Sequence, residues 1–415
     1  MIALVLAVVC GLMFGAQAHI GPVTLVQIYD FIGTLFLNGL KMLIVPLVVS
    51  SIVTGVAGLG AIEGFGRLGL KTLGYYAATS LAAILVGLCL VNIIQPGVAK
   101  DELQSALPPL SEETESELAK TEGRGLGDIA KVFHRLVPEN VVKSAVEGDM
   151  LGLIFFSLLL GYFITKLDPA KHTALLGIFQ AFYDVMLMIT DLVMRFAAIG
   201  VFALVAKVVA TTGLDAFKQV AWFFVTVLLA LGLHLFGTLP LLMRFIGRVN
   251  PLRHYKAMTP AMLTAFSTAS SSATLPLTLD CVQKRAGVSN RTASFVLPLG
   301  ATVNMDGTAL YECVAAMFIA QVYGIQLGFT TQFTIVLLAL LTSIGVAGIP
   351  SASLVAIVII LNSVGLPPEG IGLILAVDRI LDMCRTSVNV FSDSCGAVII
   401  GRSEGETGIL NAPAK

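Results

Sequence analysis

"AMLTAFSTASSSATLPLTLDC" (residues 261–281) and "LALLTSIGVAGIPSASLVAIVII" (residues 338–360) are two apolar segments interrupted in the same way. Each has an apolar arm, a run of small residues, the pattern A-x-[Leu/Ile]-Pro at Ala273–Pro276 or Ala347–Pro350, and a second apolar arm. A continuous spanning helix satisfies its own backbone N–H and C=O groups. An interrupted one leaves some free, and lipid offers them no partner. The two interruptions therefore read as re-entrant helical hairpins whose tips are covered by protein or face a water-filled cavity, the arrangement of a transporter site built from discontinuous helices. Two spanning helices kinked at Pro276 and Pro350 are the alternative.

The rest of the chain puts these segments in a membrane. Its 415 residues are 56% hydrophobic and only 12% charged, with a mean hydropathy of +0.91, and a water-facing surface needs far more charge than that. Apolar runs long enough to cross a bilayer, which takes roughly 20 residues, fall at 1–16, 27–59, 70–95, 148–166, 173–210, 217–246, 294–322 and 368–401. The expected fold class is an all-α integral membrane protein with eight transmembrane helices and the two hairpins. The first run ends near an "AQA" that resembles a signal-peptide cleavage site, but it lacks a basic start and reads as a short spanning helix.

Arg67, Lys71, Lys166, Lys171, Arg244, Arg248, Arg253, Lys256, Lys284, Arg285 and Arg291 fall in short connections that share one side of an even-numbered topology. By the positive-inside rule that side is the cytoplasm, which also puts both termini there. The acidic stretch from Lys100 to Asp128 cannot bury a core and reads as an external loop. The six cysteines show no CxxC and no paired spacing, so neither a disulfide framework nor a metal site follows. A net charge of −1 gives no hint of a nucleic-acid partner.

Within the last apolar run, "LDMCRTSVNVFSDSCG" (381–396) carries Asp382, Arg385, Asn389 and Asp393. At about 100° per residue these fall within an arc of about 80°, so one stripe of a helix is polar. Ionisable groups at membrane depth cost several kcal/mol unless paired or wet, which makes them candidates for a functional site. The plainer reading is that Asp382 and Arg385 merely neutralise each other one turn apart. The run before the second hairpin repeats the theme in "LPLGATVNMDGTALYE" (297–312), where Gly300 and Gly307 flank Asn304 and Asp306. Glycines beside a carboxylate let a helix unwind so that carbonyls join carboxylate and amide oxygens around a hard cation such as Na+. Glu312, four residues after Thr308, lies on the same helix face and is a candidate proton carrier.

"SSSATLP" (270–276), "NMDGTALYE" (304–312), "SIGVAGIP" (343–350) and "DMCRTSVNVFSD" (382–393) resemble the dicarboxylate/amino acid:cation symporters, which include the excitatory amino acid transporters and their archaeal aspartate-transporting relatives. The similarity runs over essentially the whole chain. It implies a homotrimer in the cell membrane with inverted repeats and an elevator mechanism: scaffold helices at 1–72, a transport-domain helix at 73–96, the external loop at 97–147, scaffold helices at 148–216, a transport-domain helix at 217–255 and the transport core at 256–415.

Carried over residue by residue, the resemblance implies that Arg385 pairs with the substrate's side-chain carboxylate and Asp382 takes its ammonium. Thr386, Asn389 and Thr308 add hydrogen bonds, Ser271 and Ser272 hold the α-carboxylate, and Ala269, Ile349 and Ser353 line the site. Sodium sites map onto Asp393 with Gly300, Asn304 and Asn389; onto Asp306 with Tyr76, Thr79, Ser80 and Asn304; and onto Thr302 with Ser343, Ile344 and Val346. The implied activity is uptake of aspartate or glutamate coupled to Na+, with H+ and counter-transported K+ as further candidate ions. A sodium-only symporter, or one of neutral amino acids or C4-dicarboxylates, stays as the alternative. Ala269 and Met383 stand where family members usually have an arginine at one or the other, and Arg379 is a candidate to replace it. An intramembrane aspartyl protease is disfavoured because "GLGD" (125–128) sits in the charged loop, and a passive channel because no filter sequence is present.

Overall fold

The computed structural model describes residues 2–15, 17–59, 65–98, 137–147, 150–212, 215–345 and 352–410. Most of the external loop therefore lies outside the described residues, as do Val346 and Ile349 and the tip of the second interrupted segment. Among the described residues the chain is helical apart from a two-residue antiparallel pair, His19–Ile20 with Val23–Thr24. Its helices are α1 (Ile2–Phe14), α2 (Leu25–Leu59), α3 (Phe65–Ile94), α4 (Val141–Glu147), α5 (Met150–Ile164), α6 (Pro169–Arg195), α7 (Ala197–Thr212) and α8 (Asp215–Leu233). A π-helical turn at His234–Thr238 leads into α9 (Leu239–Phe245), followed by α10 (Pro251–Thr268), α11 (Ser271–Asp280), α12 (Asn290–Val303), α13 (Asp306–Val322), α14 (Phe329–Gly345), α15 (Ala352–Ser363) and α16 (Ile371–Ser403).

Among the described residues four stretches are long and apolar enough to cross a bilayer: Leu25–Gly58, Arg67–Ile94, Pro169–Val193 and Val220–Phe245. The run expected as one span at 173–210 is two helices, α6 and α7, separated at Phe196. The run is longer than one crossing needs. At 1.5 Å per residue, 38 helical residues would reach about 57 Å, nearly twice the hydrocarbon thickness of about 30 Å.

Two sets of helices pack together. α2 packs along α5, α6 and α7, and α7 also covers α1. In the other set α13 lies at the centre, against α3, α14, α15 and α16, while α16 also packs on α8, α10 and α12. α13 is apolar nearly all round because nearly every face is covered, from Ala309 to Val322.

The apolar run at 294–322 breaks at Asn304 and Met305, whose backbones are non-helical (φ −104°, ψ 87° and φ −115°, ψ 61°). The break falls between Gly300 and Gly307, where the sequence predicts unwinding. The first interrupted segment breaks at Ala269–Ser270, and the two arms, α10 and α11, pack on each other. Ala269 ends α10 in the left-handed region (φ 50°), and the Ser270 hydroxyl caps α11 by accepting from the Ala273 N–H at 3.2 Å.

Candidate functional site

The stripe expected on the last helix lies along α16 and faces the break between α12 and α13. Arg385 is fully buried. Its Nη1 donates to Asp378 Oδ1 at 3.1 Å, and its Nη2 donates to Asp382 Oδ1 and to Ser353 Oγ, each at 3.0 Å. The guanidinium carbon sits 3.8 Å from the centre of the Tyr311 ring, a cation–π contact on its face. Arg385 and Asp382 do neutralise each other, as the plainer reading holds, but Arg385 also holds a second carboxylate and a hydroxyl. Arg379 approaches Asp382 Oδ2 at 3.8 Å from a position more than half exposed, so it reaches the carboxylate from outside.

One turn further on, Asn389 joins two helices. Its Oδ1 accepts the Gly307 N–H at 2.8 Å and its Nδ2 donates to Thr308 Oγ1 at 3.2 Å. A side chain at Gly307 would put its Cβ 2.9 Å from the Arg385 carbonyl oxygen, so only glycine lets α13 start this close to α16. The Thr386 hydroxyl donates to the Asp382 carbonyl of its own helix at 2.8 Å. Of the serines expected to hold an α-carboxylate, Ser271 is buried and Ser272 exposed, both in the first turn of α11, where free backbone N–H groups favour an anion. α11 packs on α16, which brings that helix start to the same region.

Deeper along α16 two buried carboxylates, Asp393 and Asp306, are linked through Asn304 and Ser392. Asn304 Nδ2 donates to Asp393 Oδ1 at 2.9 Å and to Ser392 Oγ at 3.2 Å, and Ser392 Oγ donates to Asp306 Oδ2 at 2.6 Å. Ser80 donates to Asp306 Oδ1 at 2.7 Å, His234 Nε2 lies 3.1 Å from Asp306 Oδ2, and Thr79 donates to Asn304 Oδ1 at 3.3 Å. Tyr76 spends its hydroxyl on the Val296 carbonyl at 2.6 Å. Gly300 is pressed against this cluster: a Cβ there would lie 2.5 Å from Asp393 Oδ1 and 2.7 Å from the Tyr76 hydroxyl.

Neither carboxylate has a Lys or Arg partner among the described residues. Two buried carboxylates without a Lys or Arg partner are costly to hold in their charged form. Among the described residues no group of three His, Cys, Asp or Glu is placed to hold a metal, and around the two carboxylates the polar atoms are amide and hydroxyl oxygens with the His234 ring nitrogen and the Asn304 amide nitrogen.

Not every expected partner meets here. The Thr302 hydroxyl returns to the Leu299 carbonyl at 3.0 Å and the Ser343 hydroxyl to the Leu340 carbonyl at 2.9 Å, although α12 and α14 pack together. Ile344 contributes its backbone to the last turn of α14. Glu312 is fully buried, and its Oε2 accepts from Thr342 at 2.8 Å, while Oε1 has no partner among the described residues.

The sequence reading misses four members of this region: Asp378, Tyr311, His234 and Ser392. Asp378 was legible, since it lies seven residues before Arg385 and inside the same 80° arc as the rest of the stripe. His234 and Tyr311 gave no signal, because each meets its partner across helix packing.

The sequence model of the sodium:dicarboxylate symporter family matches residues 1–403. The proton/sodium-glutamate symport protein of Bacillus caldotenax is 34% identical over 97% of this chain and 93% of the relative. The proton/glutamate-aspartate symporter of Escherichia coli (strain K12) is 34% identical over 96% of this chain and 91% of its own. Excitatory amino acid transporter 3 of Oryctolagus cuniculus is 36% identical over 96% of this chain and 83% of its own.

Proposed function

The chain belongs to the sodium:dicarboxylate symporter family, and from that premise we propose that it is a multi-pass membrane symporter, not an enzyme, that takes up acidic amino acids together with Na+ and H+. The relatives named as glutamate and glutamate-aspartate symporters support this substrate class and these ions. The observation that carries it is the fully buried Arg385, one turn from Asn389 and two from the carboxylate cluster. An arginine fork at membrane depth matches a carboxylate, and an aspartate beside it matches an ammonium.

In this reading Arg385 pairs with the substrate's side-chain carboxylate, Asp382 takes the ammonium, Thr308, Thr386 and Asn389 complete the site with Ser353, and the start of α11 at Ser271 and Ser272 receives the α-carboxylate. Na+ is cargo held at Asp393 with Asn304 and the Gly300 carbonyl, and at Asp306 with Ser80, Thr79 and Asn304. A third site at Thr302 and Ser343 requires both hydroxyls to turn away from the carbonyls of their own helices. Glu312 carries the proton, neutral in one half of the cycle, with K+ as the candidate counter-ion.

The two packed sets of helices support a division into a scaffold containing α1, α2, α5, α6 and α7 and a transport domain built around α13 and α16, moving as an elevator within a homotrimer. Arg67 and Lys71 at the start of α3 and Lys284 and Arg285 between α11 and α12 support a cytoplasmic face there and cytoplasmic termini. The test is uptake of labelled aspartate into proteoliposomes with an imposed Na+ gradient. Symport requires accumulation above the external concentration that collapses with the gradient. Flux that only dissipates the aspartate gradient would make the protein a channel.

A further inference from the structure

Resting on that reading, we propose that Asp382 is a stand-in for the substrate's side-chain carboxylate, held on Arg385 until the substrate arrives, and that Asp378 is the fixed partner that keeps the guanidinium in place during the exchange. The two aspartates differ in the ways such roles require. Asp378 pairs with Nη1 and its side chain is only 7% exposed, two turns away on the same helix face. Asp382 pairs with Nη2, is 13% exposed, and has Arg379, 57% exposed, at 3.8 Å from its other oxygen. Asp382 Oδ2 accepts no hydrogen bond among the described residues, and neither does Arg385 Nε donate one.

Nε and Nη2 form one edge of the guanidinium, the edge that binds a carboxylate with two parallel N–H···O bonds. Asp382 and Ser353 occupy Nη2 on that edge, while Nη1 belongs to Asp378 and the face is covered by Tyr311. Both Nη2 hydrogens are spent, on Asp382 and on Ser353, so an incoming carboxylate gains the full two-bond edge only by displacing one of them, and Asp382 is the one whose lost partner the ligand's own ammonium replaces. The displaced aspartate is then a buried carboxylate in need of a cation, and the ammonium on the same ligand supplies it.

A ligand with the carboxylate but no amine leaves Asp382 with only the more than half-exposed Arg379, 3.8 Å from its Oδ2, in place of the buried guanidinium, which is costly. A ligand with the amine but no side-chain carboxylate must compete with Arg385 for Asp382. Only a ligand carrying both completes two ion pairs at once. The two groups are then recognised cooperatively, and amine-free diacids and neutral amino acids are both rejected by the same exchange.

The test is a cycle of four ligands competing with labelled L-aspartate for the purified full-length protein in Na+ buffer. L-Alanine lacks the side-chain carboxylate, succinate lacks the amine, propionate lacks both, and L-aspartate has both. Exchange predicts that aspartate binds at least about tenfold tighter than the product of the two single gains, within the usual range of coupling between two sites. In Asp382→Asn, which has no charged stand-in, that coupling falls to near unity. In Asp378→Asn, where Arg385 leans on Asp382 alone, the coupling persists and aspartate affinity drops about tenfold or more.

Gains that simply multiply in the wild-type protein overturn the proposal, as does tenfold coupling retained in Asp382→Asn. Wild-type aspartate affinity in Asp378→Asn overturns its positioning role. The wild-type cycle needs no variant, so a misfolded mutant does not shelter the idea. A wild-type protein that binds no aspartate in Na+ overturns the assigned function instead, which keeps the two failures apart.

Discussion

Replacing Gly300 with alanine tests whether Asp393 is a cation ligand with little room to move. A Cβ at residue 300 would stand 2.5 Å from Asp393 Oδ1, 2.6 Å from its Cγ and 2.7 Å from the Tyr76 hydroxyl. Contacts that short do not persist, so the carboxylate, the tyrosine or helix α12 must shift. None has much freedom: Asp393 is tied to Asn304 at 2.9 Å, and Tyr76 to the Val296 carbonyl at 2.6 Å. Overpacking a close-packed interior costs about 1–3 kcal/mol. If that strain is relieved by moving the Asp393 carboxylate off its cation, the Na+ concentration needed for half-maximal aspartate binding rises about 5- to 150-fold.

The assay is aspartate titration at stepped Na+, with thermal unfolding of the same sample to confirm the fold. Gly74→Ala in α3 is the control, because a Cβ there meets nothing within 4 Å, and its Na+ dependence should match wild type. A folded Gly300→Ala protein with wild-type Na+ dependence would refute the placement of a cation against Asp393.

Arg385→Ala should cost acidic substrates on the order of 2–5 kcal/mol, because a buried charge loses its partner, whereas serine loses little; equal losses for aspartate and serine in competition binding would sink the assignment. Asp306→Asn and Asp393→Asn should each raise the Na+ needed for substrate binding, and unchanged Na+ dependence in both would misplace the sites. Glu312→Gln keeps an acceptor for Thr342 but cannot release a proton, so it should spare aspartate exchange while abolishing pH-dependent net uptake and any K+-dependent return; uptake with wild-type pH and K+ dependence would make Glu312 structural. At the end of α16, the hydrogen bond from Lys71 holds the Glu404 carboxyl below its ordinary value of 4.5. Its contribution to stability is therefore present above that value and lost as pH falls through the lower folded-state value. The unfolding temperature of Glu404→Gln should accordingly fall less than that of wild type on acidification, and parallel falls would refute the link.

Much of this was legible from local properties of the chain. Composition alone demands a membrane, because 12% charge cannot clothe a water-facing surface. A helical period alone puts Asp382, Arg385, Asn389 and Asp393 on one face, and Asp378 with them. The small-residue interruption at 261–281 and the glycines around "NMDGT" announce broken helices, and the chain does break at Ala269–Ser270 and at Asn304–Met305. These signals survive in one dimension because propensity and period act over a few residues.

Partnership does not survive in one dimension. That Arg385 is shared between Asp378 and Asp382 over the face of Tyr311, that Glu312 leans on Thr342, and that His234 reaches Asp306 from 72 residues away follow from how α13 packs against its neighbours. The same holds for two glycines at the site: a missing Cβ at Gly300 or Gly307 matters only because α16 passes within 3 Å of where it would be. Sequence determined which side chains are polar inside an apolar protein and on which face of each helix they lie. The tertiary structure decided which of them touch, because a hydrogen bond or ion pair depends on distances of a few tenths of an ångström that only the packing of one helix on another sets.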